Sequence, residues 1–179
     1  ILLNNLLQSF PESKIIVITG GSDGLGKTLT ESLSKNNNVI ILSTSEDKLK
    51  LVSEENNCTY KVCDVSDYDS VEKTINEIVQ EFNKVDVLIN NAGNAHGLSS
   101  FQDADIEDLE AMIDINVKGL IYVTKAVLPL MLPQQSGHIV NLSSIAGKEV
   151  YANGTTYCAS KWAVEEIGRA SCRERVLVF

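Results

Sequence analysis

The chain has few residues of several types that commonly carry chemistry. Its 179 residues include three prolines, two histidines and four cysteines, and no two cysteines form a C-x-x-C pair. Cys58 and Cys63 lie close together in the sequence, but no histidine is near them. We therefore expect buried thiols and no metal site. This cysteine usage is typical of a reducing compartment, so we expect a cytoplasmic protein.

Positive charge and long apolar runs are also scarce. Lys and Arg number 15 against 24 Asp and Glu, which gives a formal net charge of −9. Such an acidic chain is poorly suited to bind the phosphate backbone of nucleic acids. No apolar run approaches the roughly 18 residues of a membrane-spanning helix. We therefore expect neither a nucleic acid nor a membrane as a partner.

The chain does contain a regular alternation of apolar strands and amphipathic helices. Five apolar runs predict strands over residues 14–19, 38–43, 58–63, 85–89 and 137–143. These runs are continuous, which is typical of strands covered on both faces. The longest helical pattern runs from about 105 to 132, with Asp105 as its N-cap candidate. The pattern predicts a Rossmann-type α/β fold, a doubly wound parallel sheet with helices on both faces in three layers.

The stretch TGGSDGLGKT, residues 19–28, follows the first predicted strand and opens the first predicted helix. Glycines there let backbone N–H groups approach a phosphate at the helix N-terminus. The stretch fits two kinds of nucleotide site. From Thr19 it gives T-G-x-x-x-G-x-G, a dinucleotide-binding loop, and from Gly21 it gives G-x-x-x-x-G-K-T, the P-loop of nucleoside triphosphatases.

A second group of residues lies towards the C-terminus. Tyr157 and Lys161 stand at i and i+4, on one face of a predicted helix, and Ser144 precedes Tyr157 by 13 residues. The chain also contains CDV at 63–65, NNAG at 90–93 and Asn116 in the long helix. In order and spacing, this combination resembles the short-chain dehydrogenase/reductase family, in its short branch. The resemblance covers about residues 14–164.

The resemblance implies an NAD(P)-dependent oxidoreductase that interconverts a carbonyl and an alcohol on a small molecule. Tyr157 would be the acid/base, and Lys161 would favour its phenolate form and hold the nicotinamide ribose. Ser144 would hydrogen-bond the substrate oxygen. Ser143 is the alternative, but the spacing to Tyr157 favours Ser144. Asn116 would anchor a proton-relay water.

The resemblance also implies a cofactor site at the carboxyl ends of the strands. Gly20 would permit the turn of the loop, while Gly24 and Gly26 would permit close approach of the pyrophosphate and of the helix. Besides Tyr157 and Lys161, the expected contacts are Gly20, Ser22, Asp23, Gly24, Leu25, Gly26, Ser43, Thr44, Asp64, Val65, Asn91, Ala92 and Gly93.

The end of the second predicted strand bears on the choice between NAD and NADP. An Asp there would bind the ribose 2′-hydroxyl of NAD and repel a 2′-phosphate. The chain has Ser43-Thr44-Ser45 instead, which favours NADP. Asp23 counts against NADP, because NADP-dependent members of the family often carry a basic residue at its position. Lys27 or Lys48 would have to compensate.

Alternatives from other functional classes stay open at this point. A P-loop needs a later strand that ends in an Mg²⁺-binding Asp. Asp64 is the candidate, but this interpretation gives Ser144, Tyr157 and Lys161 no role. A non-catalytic dinucleotide-binding or sensing protein is a second alternative, and the intact catalytic set argues against it.

The predicted domain is incomplete by comparison with the family. Residues 14–166 are predicted to form it, after an N-terminal extension over 1–13. Two further strands and a substrate-covering loop are expected in the family after the Tyr157 helix. Residues 167–179 instead resemble a translated sequencing adapter, so we predict a non-native tail and a poorly active, truncated chain. The full-length protein is expected to be a homo-oligomer. Its long helix would offer Ile121, Val123, Val127 and Leu130 to the interface.

Overall fold

The computed structural model describes residues 12–97 and 99–173. Five strands form one parallel sheet in the order β3-β2-β1-β4-β5. Their bounds are β1 Ile15–Thr19, β2 Asn38–Ser43, β3 Thr59–Val62, β4 Val87–Asn90 and β5 His138–Asn141. β1 pairs with β2 on one side and with β4 on the other. The winding direction of the chain therefore reverses between β1 and β4, where folds of this kind bind ligands.

Helices connect the strands and cover the sheet. Their bounds are α1 Gly24–Leu33, α2 Glu46–Asn56, α3 Tyr68–Phe82, α4 Ile106–Ile113, α5 Leu120–Met131 and α6 Thr155–Arg173. A π-helical segment, Asp114–Gly119, joins α4 to α5. Short 3-10 turns lie at Phe101–Asp103 and Ile145–Gly147.

The sheet separates two apolar cores, because successive side chains of a strand point to opposite faces. Val17 of β1 packs in the core that contains residues of α3 and α5. Its neighbours Ile16 and Ile18 pack in the other core, with residues of α1 and α2. Each fully buried aliphatic side chain contributes about 1.5–3 kcal/mol to folding. The predicted three-layer, doubly wound α/β fold is confirmed.

Two local expectations differ from the structure. β3 lies at the edge of the sheet, so its residues are only partly covered and Val62 is 48% exposed. The expectation that every strand is covered on both faces is therefore wrong for β3. The long helix begins next to Asp105, as predicted, but the π-helical segment interrupts its α-helical hydrogen bonding.

The predicted oligomer face also changes. Val123 and Val127 are fully buried in the core of the chain itself, so they cannot form an interface between copies. Ile121 is 41% exposed and remains available. The oligomeric state stays a prediction.

The predicted terminal segments lie partly outside the described residues. Residues 1–11 of the predicted extension and residues 174–179 of the predicted tail are outside them. Between these limits, α6 continues through residues 167–173, so the first part of the predicted tail is helical. The assignment of that tail as non-native stays a prediction.

Candidate functional site

A cavity of about 210 Å³ opens at the carboxyl ends of the strands. Its walls are Gly20, Leu42, Ser43, Thr44, Cys63, Asp64, Val65, Ala92, Gly93, Asn94 and Ile115. Seven of the predicted cofactor contacts meet here, although they come from four separate places in the sequence. They are Gly20, Ser43, Thr44, Asp64, Val65, Ala92 and Gly93.

The glycine-rich loop forms the turn between β1 and α1. Gly20 has φ +66°, in the left-handed region that favours glycine. A Cβ on Gly26 would lie 2.1 Å from the Gly20 carbonyl oxygen, so α1 can start against the loop only with glycine there. Ser22 and Gly26 are buried, whereas Asp23, Gly24 and Leu25 are exposed. These last five predicted contacts belong to the loop but do not line the cavity.

Asp23 is held by two hydrogen bonds at the N-terminus of α1. It accepts from the Gly24 N–H at 2.7 Å and forms an ion pair with Lys48. The hydrogen bond from Lys48, with that from Gly24, lowers the pKa of Asp23. Lys27 instead pairs with Glu55 at 3.1 Å and with Glu31 at 3.9 Å. Of the two lysines named for compensation, Lys48 is the one paired with Asp23.

Asn91 does not line the cavity itself but supports the residues that do. Its Nδ2 donates to the Thr19 carbonyl at 2.9 Å and to the Gly20 carbonyl at 3.1 Å. The Thr19 hydroxyl accepts from the Ala92 N–H at 2.9 Å. These bonds fix the end of β1 to the end of β4, so Asn91 contributes to the site by holding Gly20.

Tyr157 and Lys161 lie on α6, as predicted. The Lys161 Nζ lies 5.9 Å from the centre of the Tyr157 ring and donates to the Leu142 carbonyl at 3.1 Å. Lys161 is only 7% exposed, and burial lowers its pKa. A Cβ on Gly93 would lie 3.4 Å from the Lys161 Nζ, so this ammonium is next to the cavity wall.

Asn116 lies in the π-helical segment and is buried. Its Oδ1 accepts from the Asn94 N–H at 2.8 Å, and its Nδ2 donates to the Asn94 carbonyl at 2.9 Å and to the Ser160 hydroxyl at 3.0 Å. Asn116 therefore joins the loop after β4 to the helix that carries Tyr157. Sequence reasoning missed Asn94 and Ser160, because their link to Asn116 is purely tertiary.

The two candidate serines have different partners. The Ser144 hydroxyl accepts from the Ala146 N–H at 3.2 Å and donates to no acceptor among the described residues. The Ser143 hydroxyl donates to the Lys161 carbonyl at 3.4 Å, and a Cβ on Gly147 would meet it at 2.6 Å. Ser144 is thus the serine whose proton is available to a ligand.

A second cavity, of about 40 Å³, lies beside Tyr157. Two segments form it: the loop after β4 together with α4, and residues 151–157. Its walls are Ala95, His96, Gly97, Ser99, Phe101, Ala104, Asp105, Asp108, Leu109, Met112, Tyr151, Asn153, Gly154, Thr155, Thr156 and Tyr157.

Comparison with known proteins agrees with this geometry. The family model for short chain dehydrogenases matches residues 14–176. The chain belongs to this family and is an oxidoreductase, which excludes the P-loop interpretation. A search of the described helices finds no candidate for a membrane span.

Individual relatives resemble most of the chain. An NADPH-dependent pterin aldehyde reductase of Arabidopsis thaliana is 36% identical, over 94% of this chain and 72% of that protein. An NADP-dependent 3-hydroxy acid dehydrogenase of Schizosaccharomyces pombe is also 36% identical, over 92% of this chain and 67% of that protein. A closed form of serine dehydrogenase complexed with NADP+ is 34% identical with a TM-score of 0.86, over 89% of this chain and 66% of that one.

Proposed function

We propose that the chain transfers a hydride between NADP(H) and a carbonyl or alcohol, with Tyr157 as the acid/base. The observation that carries this proposal is the buried Lys161 ammonium beside the Tyr157 ring, next to the wall of the cavity at the sheet's carboxyl edge. A buried charge costs stability unless partners compensate it, so an incompletely paired buried ammonium indicates a functional role. Among the described residues Lys161 donates one hydrogen bond, which leaves two of its donors for ligands.

The residues present fit a dinucleotide. Gly20 and Gly93 line the cavity without side chains, and the Lys161 donors are next to it. Asp64, Val65 and Thr44 would contact the adenosine end, and Lys161 the nicotinamide ribose. When bound, NADPH supplies the hydride that reduces the carbonyl carbon.

The proton chemistry falls to the side chains of the chain itself. Tyr157 lines the second cavity, where the substrate would bind, and would donate its phenolic proton to the developing alkoxide. The Lys161 charge stabilises the phenolate that this leaves. The Ser144 hydroxyl, which keeps its proton free, would donate to the same oxygen and stabilise its charge. Asn116 would position this machinery by holding α6 and the loop after β4 together.

Three observations support NADP over NAD. Ser43 and Thr44, neither of which carries a carboxylate, form the part of the cavity wall where an NAD enzyme would place an Asp. Asp23, which counted against NADP, is neutralised by its ion pair with Lys48. The two curated relatives named above are described as NADPH- or NADP-dependent.

Substitution of Tyr157 by Phe tests the proposal. We expect Tyr157→Phe to lower the turnover of NADPH with an aldehyde panel by about 10²–10⁴-fold. The dissociation constant for NADPH should stay unchanged, because the ring and Lys161 remain. Turnover is best measured in single-turnover mode with enzyme in excess, so that a slow enzyme is still detected. Equal turnover by both proteins would contradict the acid/base role. NADPH binding without turnover in the unmodified chain would favour the sensing alternative.

A further inference from the structure

We infer that the substrate of this reaction carries a positively charged group, which binds to Asp105 and Asp108 in the cavity beside Tyr157. The inference rests on the proposed function, because it takes that cavity as the substrate site. It also narrows that function, since a carbonyl reductase could otherwise accept neutral, anionic or cationic substrates.

The charged side chains on the cavity wall are acidic. Asp105 lines it from the N-cap of α4, Asp108 from the first turn of that helix, and His96 from the loop after β4. No Lys or Arg occurs among the described residues of the wall. A substrate carboxylate would therefore meet two carboxylates and no fixed cation, and close like charges oppose binding.

Asp105 has an unused carboxylate. It occupies the N-cap position of α4, where an Asp side chain normally accepts from a backbone N–H of the first turn. Here it makes no such bond, and no other partner of this carboxylate occurs among the described residues. Because the Asp105 side chain does not cap its own helix and lines the cavity beside Tyr157, its carboxylate is available to a ligand.

Asp108 is only loosely engaged. Its nearest ionisable partner is the His96 Nδ1, 3.6 Å from the Asp108 Oδ1. This separation is too long for a hydrogen bond, so the carboxylate can accept from a ligand without breaking one. Asp105 at the N-cap and Asp108 in the first turn of α4 both line the same cavity.

Aromatic rings complete the site. Phe101 is 65% exposed and Tyr151 is 47% exposed, and both belong to the same cavity wall as Tyr157. Exposed aromatic side chains on the same cavity wall as carboxylates are a combination that attracts ammonium groups. The same rings explain why the cavity would bind a substituted ammonium in preference to a small metal cation, which would favour an all-oxygen site.

This substrate class differs from that of one named relative. The name of the Schizosaccharomyces pombe relative gives a 3-hydroxy acid as its substrate. That molecule carries a carboxylate, which the acidic wall would repel here. Thus we expect this chain and that relative to share the reaction but to prefer substrates of opposite charge.

The test uses alcohols that differ mainly in charge, bound to the full chain saturated with NADP+. Choline and 3,3-dimethylbutan-1-ol have nearly the same shape but differ by one positive charge, and 3-hydroxybutanoate supplies the negative charge. Calorimetry should show choline bound at least about tenfold more tightly than the neutral alcohol, with 3-hydroxybutanoate weakest. Equal affinity for the three probes would overturn the inference. So would a failure of all three to bind, or a preference for the acid.

Matched variants assign the effect to α4. We expect Asp105→Asn and Asp108→Asn each to weaken choline binding severalfold while the affinity for 3,3-dimethylbutan-1-ol is retained. Glu107→Gln removes the same charge from the first turn of the same helix, but Glu107 does not line the cavity, so it should leave both affinities unchanged. Equal losses in all three variants would reflect only net charge and would overturn the assignment.

The readouts separate this inference from the proposed function. Charge-selective binding without turnover of any carbonyl would contradict the proposed reaction and leave the charge preference intact. Turnover of aldehydes with a preference for anionic ones would support the reaction and overturn the inference.

Discussion

The Lys161 ammonium lies 5.9 Å from the centre of the Tyr157 ring and is almost completely buried. Burial lowers the pKa of Lys161, so keeping it protonated at neutral pH costs the folded state stability. The same charge, in the proposed mechanism, stabilises the Tyr157 phenolate. The site therefore combines a folding cost with a chemical gain, as is common at catalytic centres.

Lys161→Met separates these two effects. We expect turnover to fall by at least about 10²-fold, since the phenolate loses its neighbouring charge. The pKa of Lys161 is lower in the folded than in the unfolded state. The unfolded state therefore binds more protons in the window below 10.5, and the stability of the unmodified chain rises with pH there.

Urea unfolding measures the resulting pH dependence. The stability that Lys161→Met gains over the unmodified chain should be greatest near neutral pH. This gain should shrink as the pH approaches the pKa of Lys in the unfolded state. An unchanged difference across that window would mean that Lys161 is not charged and buried in the folded protein.

Asn116→Ala should destabilise the junction between the loop after β4 and α6. It leaves the Asn94 N–H and carbonyl without their partner, and an unpaired buried polar group costs about 1–3 kcal/mol. Thermal unfolding should show a Tm several degrees lower. Ser160→Ala is the matched control, because it keeps both bonds to Asn94 and removes the bond from Asn116 to α6, together with the local bond from the Ser160 hydroxyl to the Tyr157 carbonyl. An equal loss in both variants would show that the bonds to Asn94 are not the important ones.

Much of the fold and site follows from local sequence patterns. The apolar runs predicted all five strands that the described residues form, since strands covered on both faces need apolar side chains at successive positions and even the edge strand β3 keeps a β-rich run. The resemblance placed Gly20, Thr44, Asp64 and Gly93, whose meeting in one cavity follows from parallel strands ending at one edge.

Other features could not be predicted because they depend on tertiary contacts. Propensities do not distinguish the π-helical segment around Asn116 from an α-helix, since only the bonding register differs. The edge position of β3, which exposes Val62, is set by sheet order. The pair of Asp23 with Lys48, and not with Lys27, depends on how α2 packs beside the loop.

Gly26→Ala should damage the glycine-rich loop. The added Cβ would lie 2.1 Å from the Gly20 carbonyl oxygen and 2.5 Å from the Asn91 Nδ2, so the loop or α1 must shift. We expect about 1–3 kcal/mol of destabilisation and weaker NADPH binding. Gly168→Ala is the control: the nearest atom that the structure describes, the Asn141 Nδ2, would lie 3.6 Å from its Cβ, and alanine favours a helix interior by up to about 1 kcal/mol. A Gly26 variant as stable as the Gly168 variant would contradict the close contact.

Asp86→Asn should weaken the dependence of the free energy of unfolding on pH in the acid range. Burial acts to raise the pKa of Asp86, but the hydrogen bonds from the Ile15 N–H at 2.9 Å and from Lys84 at 3.0 Å outweigh burial and lower it. A lowered pKa contributes stability that is present above the unfolded value of 3.8 and is lost as pH falls through the folded value. The variant should be less stable at pH 7, and this deficit should shrink towards pH 3 in urea titrations. A constant deficit would assign it to packing alone.

Lys48→Ala should shift cofactor preference from NADPH towards NADH. Removal of Lys48 leaves Asp23 unneutralised in the loop and removes a cation that could approach a 2′-phosphate from the start of α2. We expect the affinity for NADPH to fall about three- to tenfold, with NADH affinity nearly unchanged and the effect weakened by added salt. Lys27→Ala removes an equal charge that is paired with Glu55 and Glu31, so it should leave the ratio of the two dissociation constants unaltered. If both variants change that ratio equally, the preference reflects the overall field of the chain and not the ion pair of Lys48 with Asp23.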